Sequence, residues 1–139
     1  MKGASLVALL LVALAVGCEG RKSPRLVVDA LFAAFDRHDI DAMTRLYATD
    51  ARLSSADFCT SRGHSDVART DRALFDAYAD PHDEIETIVV ADERVAVRFV
   101  SRSTSAGFAL PIATFMRVRD GLIVEDDRLF DTGGRPCAP

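Results

Sequence analysis

At Asp80-Pro81-His82 the apolar pattern of this chain changes period, and that change restricts the fold more than any other feature. Upstream the spacing is helical. Ser23-Pro24 joins an N-cap residue to a proline at the first helical position. Val27, Ala30, Leu31, Ala34 and Phe35 then recur on one face. Asp36-Arg37-His38 breaks that face, and Asp39 caps a second, shorter helix carrying Ile40, Met43, Leu46 and Tyr47. Ala51 to Ser54 is a short strand candidate, and Ser55 to Gly63 reads as a polar loop. A third helix is expected from about Ser65 to Ala79, with Val67, Leu74, Phe75 and Tyr78 on its buried side. Downstream the spacing is that of strands. Ile85 to Val90 is β-branched, and Arg94 to Thr104 alternates as Val95, Val97 and Phe99 against Ala96, Arg98 and Val100. Phe108 to Val118 returns after a turn at Ser105-Ala106-Gly107. Asp120-Gly121 is a strong hairpin signal, and Leu122 to Phe130 closes the sheet.

Three helices followed by a meander of about four strands make an α+β layout. The helices must pack on one face of a curved, mostly antiparallel sheet, because both apolar surfaces are buried only there. The chain has 139 residues, room for one domain of ordinary size. Hydrophobic residues at 49% and charged residues at 27% exclude a disordered chain. The formal charge is −4, Trp is absent, and no basic stripe with interleaved aromatics occurs, which argues against nucleic acid as a partner.

Residues 1–17 read as an export signal: a single cation, Lys2, precedes the unbroken apolar run Leu6 to Val16. A membrane span needs roughly 20 apolar residues, so this run is too short for one and suits a signal core. The exit Leu14-Ala15-Val16-Gly17-Cys18 resembles the bacterial lipoprotein cleavage box, with Leu one place earlier than usual. That resemblance implies lipidation of Cys18, a tether over residues 18–23, and a cell-envelope location with the membrane as partner. Plain secretory cleavage near Ala15 to Gly17 is the alternative. Multiple acyl chains on Cys18 would anchor stably, and Arg21, Lys22 and Arg25 would sit near head groups.

If Cys18 carries lipid, Cys59 and Cys137 remain as an even pair in an oxidising compartment and are expected to form a disulfide. Two unpaired thiols are the alternative. Neither cysteine has a second ligand at zinc spacing, so no metal is expected. No phosphate loop, nucleotide motif or Ser-His-Asp pattern points to a cofactor.

Several segments, in order, resemble the nuclear transport factor 2-like superfamily and its SnoaL-like branch. They are Leu31-Phe32-Ala33-Ala34-Phe35 through Asp39, Leu46-Tyr47-Ala48-Thr49-Asp50, Arg94-Val95-Ala96-Val97-Arg98-Phe99, and Arg119-Asp120-Gly121-Leu122-Ile123-Val124-Glu125 before Asp131. The resemblance implies a cone-shaped roll over residues 24–139, with a pocket between the helices and the concave sheet face. It also implies a small, partly apolar ligand and, in many relatives, a homodimer through the sheet face. Known activities in the superfamily include steroid isomerisation, polyketide cyclisation and dehydration. The ketosteroid isomerase members use a helix Tyr, an Asp base after the first strand and a buried Asp donor. Those places are here Leu31, Ser55 (with Asp57 two residues on) and about Thr114, so that set is not carried over.

The remaining candidates come from residue chemistry. Asp57 and His64 flank the loop that rims the pocket in such folds, where they would act as a base and its partner. A merely polar loop explains them as well. Asp126 and Asp127 are neighbours on the last strand and project to opposite faces; Asp127 is the third acid-base candidate. Tyr47, Tyr78, Arg98, Thr114 and Met116 complete the expected ligand wall, with Arg98 as an anion partner if it points inward. The reading that results is an exported, lipid-anchored domain binding a small ligand. An acid-base enzyme of the cyclase or isomerase kind and a dimerising interaction module are the alternatives.

Overall fold

A computed structural model describes residues 22–138 of the chain; the leader and Cys18 lie outside the described residues. Ser23 accepts the Leu26 amide and Pro24 opens helix α1, Pro24–Asp36, whose buried face is Val27, Val28, Leu31, Phe32, Ala34 and Phe35. Ala30 is exposed, so the inward stripe is centred one position away from the expected one. Asp39 takes the Ala42 amide at 2.9 Å and starts the short helix α2, Ile40–Thr44. Strand β1 runs Tyr47–Ser55, longer than expected and beginning where a helix was anticipated. Its start is captured by pairing: the Ile123 amide donates to Leu46 O at 2.8 Å, and Tyr47 sits opposite Ile123.

The expected loop contains a two-residue strand, β2, Arg62–Gly63, which pairs antiparallel with β1 and leads directly into α3, His64–Ala77. The sheet continues as β3, His82–Ala91; β4, Arg94–Ser103; β5, Phe108–Arg119; and β6, Leu122–Leu129. Its six strands lie in the order β2-β1-β6-β5-β4-β3, all neighbours antiparallel except β1 with β6. The result is the α+β cone: a curved sheet carrying the helices on its concave face. Asp120 and Gly121 have φ of 53° and 78°, which is why the tight β5–β6 turn takes this dipeptide.

Alternation sorts the strands between a core and an outer face. Val95, Val97, Phe99, Met116, Val118 and Ile123 point inward against α1 and Met43. On the outer face, Arg98 pairs with Glu86 at 2.9 Å, Arg102 with Glu84 at 2.7 Å and Arg117 with Glu125 at 2.8 Å. The helices are tied to the sheet by polar joints at their ends. Asp36 takes the Asp83 amide at 3.0 Å, and His38, stacked on Phe75, reaches Pro81 O at 3.0 Å. Asp80 closes the β4–β5 turn by accepting from Ser103, Ser105 and the Thr104 amide, and these bonds hold its carboxyl well below the usual range.

Cys59 and Cys137 form a disulfide, with Cα atoms 5.0 Å apart. Around it Cys59 N donates to Ala138 O and Ala138 N to Asp57 O, so the C-terminal tail is stitched onto the loop after β1. The bond spans 78 residues, and in the chain-entropy model a loop of that size is worth about 4 kcal/mol. Replacing both cysteines by serine is expected to lower the urea midpoint by an amount equivalent to about 2–4 kcal/mol. An unchanged midpoint would mean that the tail contributes nothing to the folded state.

Candidate functional site

Two positions on β6, Asp126 and Arg128, share a strand face because side chains alternate with period two. That face is the concave one. Asp126 is 2% exposed, and a charge so deep needs partners. It has four bonds from three side chains. Thr114 on β5 donates to Oδ1 at 2.6 Å, Tyr47 at the start of β1 donates to Oδ2 at 2.7 Å, and Arg128 donates to Oδ2 from Nη2 at 3.0 Å and Nε at 3.2 Å. Arg128 Nη2 also donates to the Tyr47 hydroxyl at 3.3 Å. Burial alone would push the Asp126 carboxyl up, but the Arg128 charge and these hydrogen bonds outweigh it and hold it below the ordinary value. The same pairing keeps Arg128 charged, and burial together with Asp126 keeps Tyr47 protonated.

Arg128 stands where two cavities adjoin. The larger, about 400 Å³, lies between α3 and the inner sheet face. Leu53, Leu110, Ile112, Phe108, Phe130 and Tyr78 supply its apolar wall. The smaller, about 80 Å³, lies deeper beneath α1 and reaches Phe32, Phe99, Met116 and Asp83. Leu74, Ser101, Ile112 and Arg128 border both.

Two further carboxyls face this space. Asp71 on α3 is 4% exposed and lines the larger cavity, and burial raises its pKa, with Arg128 opposing and Asp126 adding to the rise. Asp83 at the start of β3 borders the deeper one. Part of that residue reaches the surface, but its Oδ1 is buried without a partner, and desolvation raises the carboxyl to about 6 despite a bond from Ser101. Two carboxyls, Asp71 and Asp83, therefore line a mostly apolar chamber together with one guanidinium, Arg128, which Asp126 holds from behind. Such a set can orient a small molecule and exchange protons with it.

The residues expected from the sequence divide between this chamber and the surface. Asp57 and Tyr78 line the larger cavity, Met116 the deeper one, and Thr114 and Tyr47 hold Asp126. Asp57 also accepts from Ser55. His64 is the first residue of α3 and lines neither cavity. Arg98 and Asp127 stand on the outer face, Arg98 against Glu86 and Asp127 in a shallow groove of about 310 Å³ with Arg52, Arg94 and Phe115. Their inward neighbours on the strands are Val97, Phe99, Asp126 and Arg128, so alternation puts them outside.

Asp71, Asp83 and Arg128 were not visible as site residues in the sequence. Asp71 did leave a signal, a charge inside the apolar stripe Val67, Leu74 and Tyr78 at helical spacing. Asp126 and Arg128 left another, alternate charges on a strand that must bury one face. Asp83 left none.

The model of the SnoaL-like domain family matches residues 28–126. IdmH from Streptomyces antibioticus, a candidate polyketide cyclase, has the same fold, with 23% identity and a TM-score of 0.73 over 79% of this chain and 93% of its own. A loop-truncation variant of IdmH shares 26% identity at a TM-score of 0.73, over 79% and 94% of the two chains. AclR, a candidate hydroxylase from Streptomyces galilaeus, is similar at 19% identity and a TM-score of 0.68, over 78% of this chain and 88% of its own. No curated protein sequence matches.

Two outcomes are expected at this site. Arg128→Met, which strands the buried Asp126 carboxylate, should destabilise the fold by about 3–5 kcal/mol, and adding Asp126→Asn should recover part of that loss. Chemical denaturation of both variants checks it, and a double variant no better than the single one would mean that charge pairing is not what the site provides. Asp83 holds its proton more tightly folded than unfolded, where Asp titrates near about 3.9. Wild type therefore loses stability through this group as pH rises from about 4 to about 6, and Asp83→Asn does not. The variant should gain on wild type by about 1–2 kcal/mol between pH 4 and pH 7, after allowing for solvent screening. A gap independent of pH would mean that Asp83 titrates in an ordinary environment.

Proposed function

This chain belongs to the SnoaL-like domain family, and from that premise we propose that it binds a small, partly apolar molecule in the cavity between α3 and the concave sheet face. The observation that carries the reading is the cavity of about 400 Å³ whose apolar walls end on charged groups, Arg128 and Asp71. Ligand pockets of the usual kind are built this way: hydrophobic walls supply affinity and a few polar atoms fix orientation. Arg128 is held rigidly by Asp126 and Tyr47, so it meets a ligand oxygen without first having to be ordered.

Acid-base chemistry of the cyclase or isomerase kind is the second reading, and Asp83 favours it. A carboxyl that titrates at about 6, with a buried Oδ1 left open, can take and return a proton near neutral pH. Arg128, on the border of both cavities, would offer hydrogen bonds to an oxygen that gains negative charge. The similar IdmH, a candidate polyketide cyclase, supports that class of chemistry.

An extracytoplasmic location belongs to the same reading, with Cys18 as the proposed anchor. It is supported by the leader-like residues 1–17 and by the Cys59–Cys137 bond, which persists in oxidising compartments.

The neutral dye N-phenyl-1-naphthylamine tests the pocket. Wild type should show saturable, one-to-one fluorescence enhancement, and Leu110→Trp, which fills the chamber from β5, should weaken it at least about tenfold. Binding unchanged by the tryptophan would place the dye elsewhere and sink the reading.

A further inference from the structure

We infer that the molecule held beneath α3 is a small apolar amine in its protonated form, with its ammonium seated against Asp71. The inference rests on reading the cavity as a ligand pocket and adds the charge of the ligand. Asp71 is buried to within 4% exposure, borders the cavity, and receives no hydrogen bond from any described residue. Its oxygens are not sealed in the interior but open onto the cavity, where no donor of the protein meets them, and a carboxyl so placed still lacks a partner for its charge. It occupies a place on α3 that the apolar stripe of Val67 and Leu74 would otherwise fill, so packing does not call for it. An ammonium group would supply both the charge and the donors it lacks.

The other charges around the chamber point the same way. Arg128 is the cation of the wall, and its Nε and Nη2 are already committed to Asp126 and Tyr47. Asp126 balances it. That leaves Asp71, Asp83 at the deeper end and Asp57 at the mouth, so the chamber is negative once the inner pair is counted as neutral. An anionic ligand would face these carboxyls; a cationic one is drawn in by them.

The walls suit a cation with an apolar body. Tyr78 and Phe108 meet edge to face at 5.3 Å, and Phe58 and Phe130 stand with them around the mouth. Aromatic faces attract ammonium groups, most of all where water is excluded. Phe58 already carries a cation in this way: the Arg62 guanidinium lies 3.9 Å from its ring centre. Deeper in, Leu53, Leu110 and Ile112 offer an apolar surface for the rest of the molecule.

Three probes of one carbon skeleton decide the matter: 4-phenylbutylamine, 4-phenylbutanol and 4-phenylbutanoate, titrated calorimetrically into the purified chain with its disulfide formed, near pH 7. The amine should bind at least about tenfold more tightly than the alcohol and the carboxylate most weakly, as a charge-assisted bond plus aromatic contacts predicts. Asp71→Asn should bring the amine-to-alcohol ratio close to one. A ratio that survives Asp71→Asn overturns the assignment of Asp71. Equal affinities, or a preference for the carboxylate, overturn the charge class and leave the pocket itself standing. Failure of all three to bind the folded protein, or to displace N-phenyl-1-naphthylamine, removes the pocket reading and this inference together. The wild-type series stands without any variant, so a misfolded Asp71→Asn does not shelter the proposal.

Discussion

The ion pair of the buried Asp126 and the half-buried Arg128, two residues apart on one strand face, is the constraint on which the rest of the structure depends. A carboxylate that deep is tolerable only with its lone pairs occupied, and the occupants come from three strands. Tyr47 brings the first residue of β1, Thr114 brings β5, and Arg128 lies on β6 itself. The network therefore stitches the one parallel pairing in the sheet, β1 with β6, at the point where hydrogen bonding is otherwise irregular. It also decides what the cavity presents. Because Asp126 spends the charge of Arg128, the remaining carboxyls set the sign of the field that a ligand meets.

The helices complete the chamber without filling it. α1 packs Val27, Val28, Leu31 and Phe32 onto the inner strands and seals the deep end. α3 buries Val67 and Asp71, and Tyr78 at its C-cap is partly exposed and borders the cavity beneath. The tail and the loop after β1, joined by Cys59–Cys137, bring Asp57, Phe58 and Phe130 to the mouth. Each wall thus comes from a different stretch of sequence. Solved structures at 19% to 26% identity share this fold.

The fold was legible because it rests on local patterns that many residues repeat. The Ser23-Pro24 start, the Asp39 cap and the Asp120-Gly121 turn each act through their own backbone neighbours, and each stands where the sequence put it. The local pattern marks only Ala51 to Ser54 of β1, because its first residues owe their extended form to partners on β6, more than seventy positions away. The site was less legible for the same reason. Thr114, Met116 and Tyr47 could be assigned to an inner wall from a resemblance, yet nothing local says that Asp126, and not Asp127, faces inward. One register step separates the two.

By itself, then, the sequence determined the α+β class, the places of α1, α2 and α3 and the run of strands that follows α3, since these follow from the period of apolar residues and from capping chemistry. It also held the two cysteines that pair. Tertiary structure alone decided the sheet order β2-β1-β6-β5-β4-β3 and the inward choice of Asp126 and Arg128. It alone brought Asp71 from a helix and Asp83 from a distant strand to the same chamber. The physical reason is range. A cap or a turn is settled within four residues, whereas the protonation and partners of a buried carboxyl depend on every element packed against it.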